Sequence, residues 1–65
     1  MTLGEKILSL RTARDMSQDD LAEKLDFSRQ SVSKWETAQS TPYLDKIIML
    51  AYLFGTTVDQ LVREG

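Results

Sequence analysis

Ser17-Gln18-Asp19-Asp20-Leu21-Ala22-Glu23-Lys24-Leu25, then Asp26 and Phe27, then Ser28-Arg29-Gln30-Ser31-Val32-Ser33-Lys34-Trp35-Glu36, is the stretch on which the fold turns. The first half opens on an N-cap serine with Asp19 and Asp20 in the first turn, where the positive end of the helix dipole favours carboxylates. Leu21, Ala22 and Leu25 then fall on one face. Helix two is expected to end at Asp26, because Ser28 opens another start with only Asp26 and Phe27 between. In the second half, Val32, Trp35 and Glu36 share one side, and Gln30, Ser33, Lys34 and Thr37 share the other. That polar side carries no carboxylate. Ala22 is small enough to let the following helix cross closely, and Leu21, Leu25, Phe27, Val32 and Trp35 supply the apolar faces that lock the angle.

Working outward, Thr2-Leu3-Gly4-Glu5 has the form of a capping box, with Leu3, Ile7 and Leu10 behind it and a stop near Asp15. Thr37 to Tyr43 reads as a loop, since Pro42 biases Thr41 away from helical torsions. Leu44, Ile47, Leu50, Ala51 and Phe54 form the core stripe of a fourth helix, which Gly55 ends as a left-handed cap. Thr57-Val58-Asp59-Gln60 reads as a further capping box, leading into a short stripe of Val58, Leu61 and Val62. No segment alternates with period two, and no repeat or linker is present. The reading is all-α: one domain over 1–65 with helices at about 3–14, 18–25, 29–37, 44–54 and 58–63.

Composition narrows the chemistry. Sixty-five residues hold one small core, and neither Cys nor His is present. That removes disulfides, thiolate and imidazole metal sites, and every His-dependent nucleophile, and it points to a reducing cytoplasm. No metal or cofactor is expected. Without a Gly-rich phosphate loop or an isolated carboxylate pair on an apolar face, an enzyme is the reading least suited to the chain. The longest apolar run, Ile47 to Phe54, is eight residues, far short of the roughly 20 that a spanning helix needs. Thr2 to Leu10 lacks the apolar core of a secretory signal, so no membrane partner is expected.

The net charge is −2 and the pI about 4.9, which by itself argues against tight non-specific binding to nucleic acid. The distribution is uneven. Segment sums are +2 for 1–14, −4 for 15–27, +1 for 28–43 and −1 for 44–65. The acid is concentrated just before the mildly basic segment that holds the second half of the deciding stretch. Asp19, Asp20 and Glu23 themselves read as helix-dipole compensation and solvation rather than a cation site.

The two helices and their tight turn resemble the repressor and Cro-like helix-turn-helix superfamily, also called the xenobiotic response element family. The Pro42-x-Leu44 start and the Leu53-Phe54-Gly55-x-x-x-Asp59-x-Leu61 ending extend the likeness over nearly the whole chain. The resemblance implies a compact five-helix repressor-like DNA-binding domain whose third helix enters the major groove. By position, it implies base contacts from Arg29, Gln30, Ser33 and Lys34. Side-chain chemistry agrees: Arg forks onto guanine O6 and N7, and Gln donates to and accepts from adenine. Gln18 is the expected phosphate donor at the start of helix two, and Thr37, Gln39, Ser40 and Thr41 are expected to serve likewise from the loop. Arg11 and Glu36 match the family's ion pair between helix one and the end of the recognition helix.

The chain departs from the family where Asp15, Asp26 and Ala38 stand in place of glycine, and where Gln39 stands in place of a basic residue. Asp tolerates left-handed torsions better than most residues, so the fold survives at some strain. Trp35, three residues after Val32, reads as core rather than as a base-stacking platform. Ile48, Met49, Tyr52 and Leu53 occupy sides of helix four that the core stripe does not use, and they read as a homodimer surface. The expected partner is double-stranded DNA, bound by a two-fold dimer on a near-palindromic operator. An antitoxin-like or adaptor module on the same fold remains the alternative, and a solvated polar face remains the bland account of Arg29 to Lys34. Ending at Gly65, the chain is either a small regulator entire or one domain of a larger one.

Overall fold

The computed structural model describes residues 1–63, so the last two residues of the expected 1–65 domain lie outside it. Five helices follow in order: α1 Leu3–Ala13, α2 Gln18–Lys24, α3 Arg29–Glu36, α4 Leu44–Phe54 and α5 Val58–Val62. The described residues contain no strand.

Each helix starts where an extended residue turns its side chain back onto the first turn, except α4, whose Tyr43 makes no side-chain cap. Thr2 with Glu5, and Ser17 with Asp20, form reciprocal capping boxes. Thr57 does not. Its hydroxyl accepts from the Gln60 amide at 3.0 Å, but the Gln60 side chain turns to Thr56 Oγ1 at 2.8 Å instead of returning to the Thr57 backbone. The capping box expected at Thr57 is therefore half a box.

Four helix ends share one closure. Asp15, Asp26, Ala38 and Gly55 sit at φ of +55°, +54°, +62° and +66°. In each case the next amide reaches back five residues: Met16 to Arg11, Phe27 to Ala22, Gln39 to Lys34 and Thr56 to Ala51, at 2.8 to 3.1 Å. This closure satisfies carbonyls that a helix end otherwise leaves without donors. It also shortens α2, which stops at Lys24 rather than running to Asp26, because Asp26 is itself the left-handed residue.

Ile7, Leu21, Ala22, Leu25, Val32, Trp35, Leu50, Ala51, Phe54 and Leu61 form the core. Leu44, expected in the α4 stripe, is instead 66% exposed at the first position of the helix, and the residue buried there is Pro42. Leu53, expected on the outer side, packs partly against the core. The buried stripe of α4 is thus set one turn later and slightly rotated. Val62, counted in the α5 stripe, is exposed.

The approach of α1 to α3 depends on Gly4, which the sequence pattern marked only as a capping-box position. A Cβ there would run into the Trp35 carbonyl oxygen and lie 2.9 Å from that of Glu36, so the helices meet this closely only without one.

Candidate nucleic-acid interface

The interface is built by what lies behind it. Val32 and Trp35 seat α3 in the core, with Trp35 only 4% exposed; it is a core residue, as its spacing implies. Phe27 stacks on Trp35 with ring centroids 5.5 Å apart and 15° between planes. Lys46 covers the other side of the turn, its Nζ 4.8 Å from the Phe27 ring and donating to the Leu25 carbonyl at 2.8 Å. The turn between α2 and α3 is therefore held by α4 although Phe27 remains exposed.

A second brace fixes the end of α3. Arg11 meets Glu36 through two hydrogen bonds, Nε to Oε2 at 2.8 Å and Nη2 to Oε1 at 3.1 Å, and donates a third from Nη1 to the Met16 carbonyl at 2.8 Å. The two side chains are 11% and 5% exposed. Gln18 joins them, its Nε2 donating to Glu36 Oε1 at 3.0 Å. One amide proton of the expected phosphate donor is thus committed to a buried carboxylate. The physical reason is that Glu36 Oε1, already accepting from Arg11 Nη2, keeps a second lone pair for a donor on α2.

The outward face of α3 carries Arg29, Gln30, Ser33 and Lys34, the four residues expected at base edges. Together with Gln39 they line one hollow of about 420 Å³. Arg29, Gln30 and Lys34 are exposed and Ser33 is half-buried.

The loop residues expected on phosphates do not form one set. Thr37 spends its hydroxyl proton on the Ser33 carbonyl at 3.0 Å and accepts from Gln39 Nε2 at 2.9 Å, so it has no proton to offer a phosphate as it stands. Gln39 lies on the α3 face, its backbone N–H donating a hydrogen bond to the Lys34 carbonyl at 2.8 Å. Ser40 and Thr41 border a different hollow, of about 370 Å³, beside Trp35 and Pro42.

The sequence reading of Asp19 as helix-dipole compensation does not bring it to this face, but the fold does. Asp19, on α2, places Oδ1 3.5 Å from Arg29 Nε, with both side chains well exposed at 79% and 61%. Ten residues separate the two along the chain, and only the crossing angle of the helices brings them together. The polar side of α3 carries no carboxylate of its own, but it borrows one.

The proposed dimer residues line one hollow beside Lys24 and Leu25 but differ in exposure. Ile48, Met49 and Tyr52 are exposed, joined by Tyr43 and Leu44, whereas Leu53 is partly buried. Among the described residues, no group of three Asp or Glu is arranged to hold a metal ion, and no helix is long and apolar enough to cross a membrane. Guanidinium, amide, hydroxyl and ammonium groups on one rigid rod are equipped to donate to and accept from a polar partner.

The chain is similar to several known proteins. A transcriptional activator of Enterococcus faecalis, BcrR, is 36% identical over 62 residues, which cover 95% of this chain and 30% of that protein. The immunity repressor of Bacillus phage phi105 is 33% identical over 64 residues, covering 98% of this chain and 44% of its own. The curated relatives it matches are longer, and the chain spans 30% to 56% of their length. Among solved structures, the P22 c2 repressor in complex with a synthetic operator superposes with a TM-score of 0.91 at 22% identity, covering 97% of this chain and 96% of that one. The restriction-modification controller protein C.AhdI of Aeromonas hydrophila superposes with a TM-score of 0.81 at 30% identity, covering 91% and 89%. A family model described as helix-turn-helix matches residues 7–61, a span that takes in the α2–α3 turn, the Arg11–Glu36 brace and the core; the chain belongs to the helix-turn-helix family.

Proposed function

We propose that this chain binds double-stranded DNA sequence-specifically as the DNA-binding part of a cytoplasmic transcription regulator, with α3 docked in the major groove. The observation that carries the reading is the outward face of α3. Arg29, Gln30, Ser33 and Lys34 surround one hollow, while Val32, Trp35 and Glu36 on the opposite side hold the rod at a fixed tilt. Arg29 suits guanine, Gln30 suits adenine, and each good pair discriminates by roughly 1 to 3 kcal/mol. The names of the relatives support it, since they are regulators and repressors, and the P22 c2 repressor was solved on an operator. The reading includes a two-fold dimer through the exposed apolar side of α4, which would set two recognition helices roughly 34 Å apart on a near-palindromic site. No reaction is catalysed.

Selection from random duplexes at moderate salt, repeated with Gln30→Ala, tests this directly. A palindrome should be enriched, and the variant should change the preference at one position per half-site. No enrichment over scrambled duplexes ends the proposal. The acidic pI and the apolar α4 side favour one other reading, a protein-interaction module on the same fold. That function would survive loss of Arg29 and Gln30.

A further inference from the structure

We infer that Asp19 is a positioning residue for Arg29, setting how sharply that arginine discriminates its base; this rests on the DNA reading assigned to Arg29 above. Asp19 Oδ1 lies 3.5 Å from Arg29 Nε, and no hydrogen bond joins them. A charge-assisted hydrogen bond would be shorter, about 2.7 to 2.9 Å, so the carboxylate steers the guanidinium rather than locking it. Steering at Nε leaves both terminal Nη groups free, and the paired Nη edge is one fork that fits guanine O6 and N7.

Two observations separate this role from helix stabilisation. Asp20, not Asp19, closes the capping box with Ser17, so α2 does not need Asp19 for its cap. The pair is also too exposed to contribute much to folding. Asp19 also compensates the α2 dipole from the first turn, and its effect on binding is separate from that. A pre-steered arginine loses less side-chain freedom when it meets its base. A carboxylate beside it penalises docking in registers where Arg29 merely lies on phosphate, because the Asp19 charge then faces the DNA backbone uncompensated. Asp19 therefore weakens non-specific binding and sharpens specific binding.

The test uses the duplex enriched from a random pool, a set of single base-pair substitutions of it, and a scrambled duplex. Affinities are measured for the wild type, Asp19→Asn, Arg29→Ala and the double variant. Glu23→Gln serves as a control that removes one charge from α2 at a hollow away from Arg29, and melting curves verify folding. Arg29→Ala should flatten the preference at one base pair per half-site. Asp19→Asn should cut the preference at that same pair roughly fivefold or more while tightening binding to the scrambled duplex, and should add nothing in the Arg29→Ala background. Glu23→Gln should leave the preference at that pair intact. If Asp19→Asn behaves as Glu23→Gln does, the inference fails and the DNA reading stands. If Arg29→Ala flattens no position, the reading of Arg29 fails and the inference with it.

Discussion

Asp15, Asp26 and Ala38 turn through the left-handed region without being glycine, and they do not carry equal strain. Asp is among the few side chains that visit this region readily, whereas Ala has no local hydrogen bond to offset the contact between its Cβ and the carbonyl oxygen, which costs roughly 1 to 2 kcal/mol. Ala38→Gly should therefore stabilise the fold by about 1 kcal/mol after the added freedom of the unfolded chain is deducted. Asp26→Gly should gain less, and urea titration of both variants tells them apart. Glu36 is the opposite kind of residue. Its carboxylate receives Arg11 twice and Gln18 once in near-complete burial. Glu36→Gln strands the Arg11 charge and should cost about 3 kcal/mol. Exposed Glu23→Gln should stay within about 0.5 kcal/mol, and thermal melting of the pair settles the comparison; equal shifts would remove the brace from the account.

At the scale of the elements, helix starts are legible because they are local. Ser17 and Asp20 lie three residues apart and need no third partner, so both the cap and its electrostatics follow from the sequence. The Ser17 backbone amide, and then its hydroxyl, hold the Asp20 carboxyl below its ordinary value of 3.8. Thr2 does the same for Glu5, whose ordinary value is 4.5. A carboxyl lowered on folding contributes its full stability above the ordinary value and loses it as pH falls through the lowered one. The stability gap between wild type and Asp20→Ala should accordingly be constant near neutrality and shrink toward zero on acidification below pH 3.8, as followed by denaturant titration across pH. Ser17→Ala should cost about 1 kcal/mol at neutral pH. Helix faces are less legible than helix starts. Periodicity gives α4 a face but not how much of it is covered: Leu44, at the first position, stays exposed, and Leu53, beside the stripe, packs partly against the core.

For the whole molecule, charge and exposed apolar surface lead to predictions about assembly. Arg29 and Lys34 are the two cations of the α3 face, so a dimer bringing about four cationic contacts to the DNA should show a log-log salt slope of roughly −3 to −4. A slope beyond about −8 would contradict this contact map. Tyr52 is 91% exposed, and with Ile48 and Met49 it forms the apolar side proposed for the dimer. Sedimentation should show self-association that Met49→Lys weakens, with operator affinity falling in step. A monomer at high concentration, with DNA binding unchanged in Met49→Lys, would end the dimer proposal.

What the sequence by itself determined were the properties that act within a few residues. These include the capped starts of α1, α2, α3 and α5, the left-handed stop at Gly55, the absence of imidazole and thiol chemistry, and the polar side of α3 with Val32 and Trp35 behind it. Tertiary structure alone decided what depends on the angle between elements. It brought Asp19 to Arg29, turned Gln18 onto Glu36, made Gly4 indispensable at the α1–α3 crossing, and split the loop so that Gln39 joins the α3 face while Ser40 and Thr41 do not. Capping and periodicity are short-range and repeat with the backbone; contacts across ten or thirty residues exist only once packing has fixed the helices against one another.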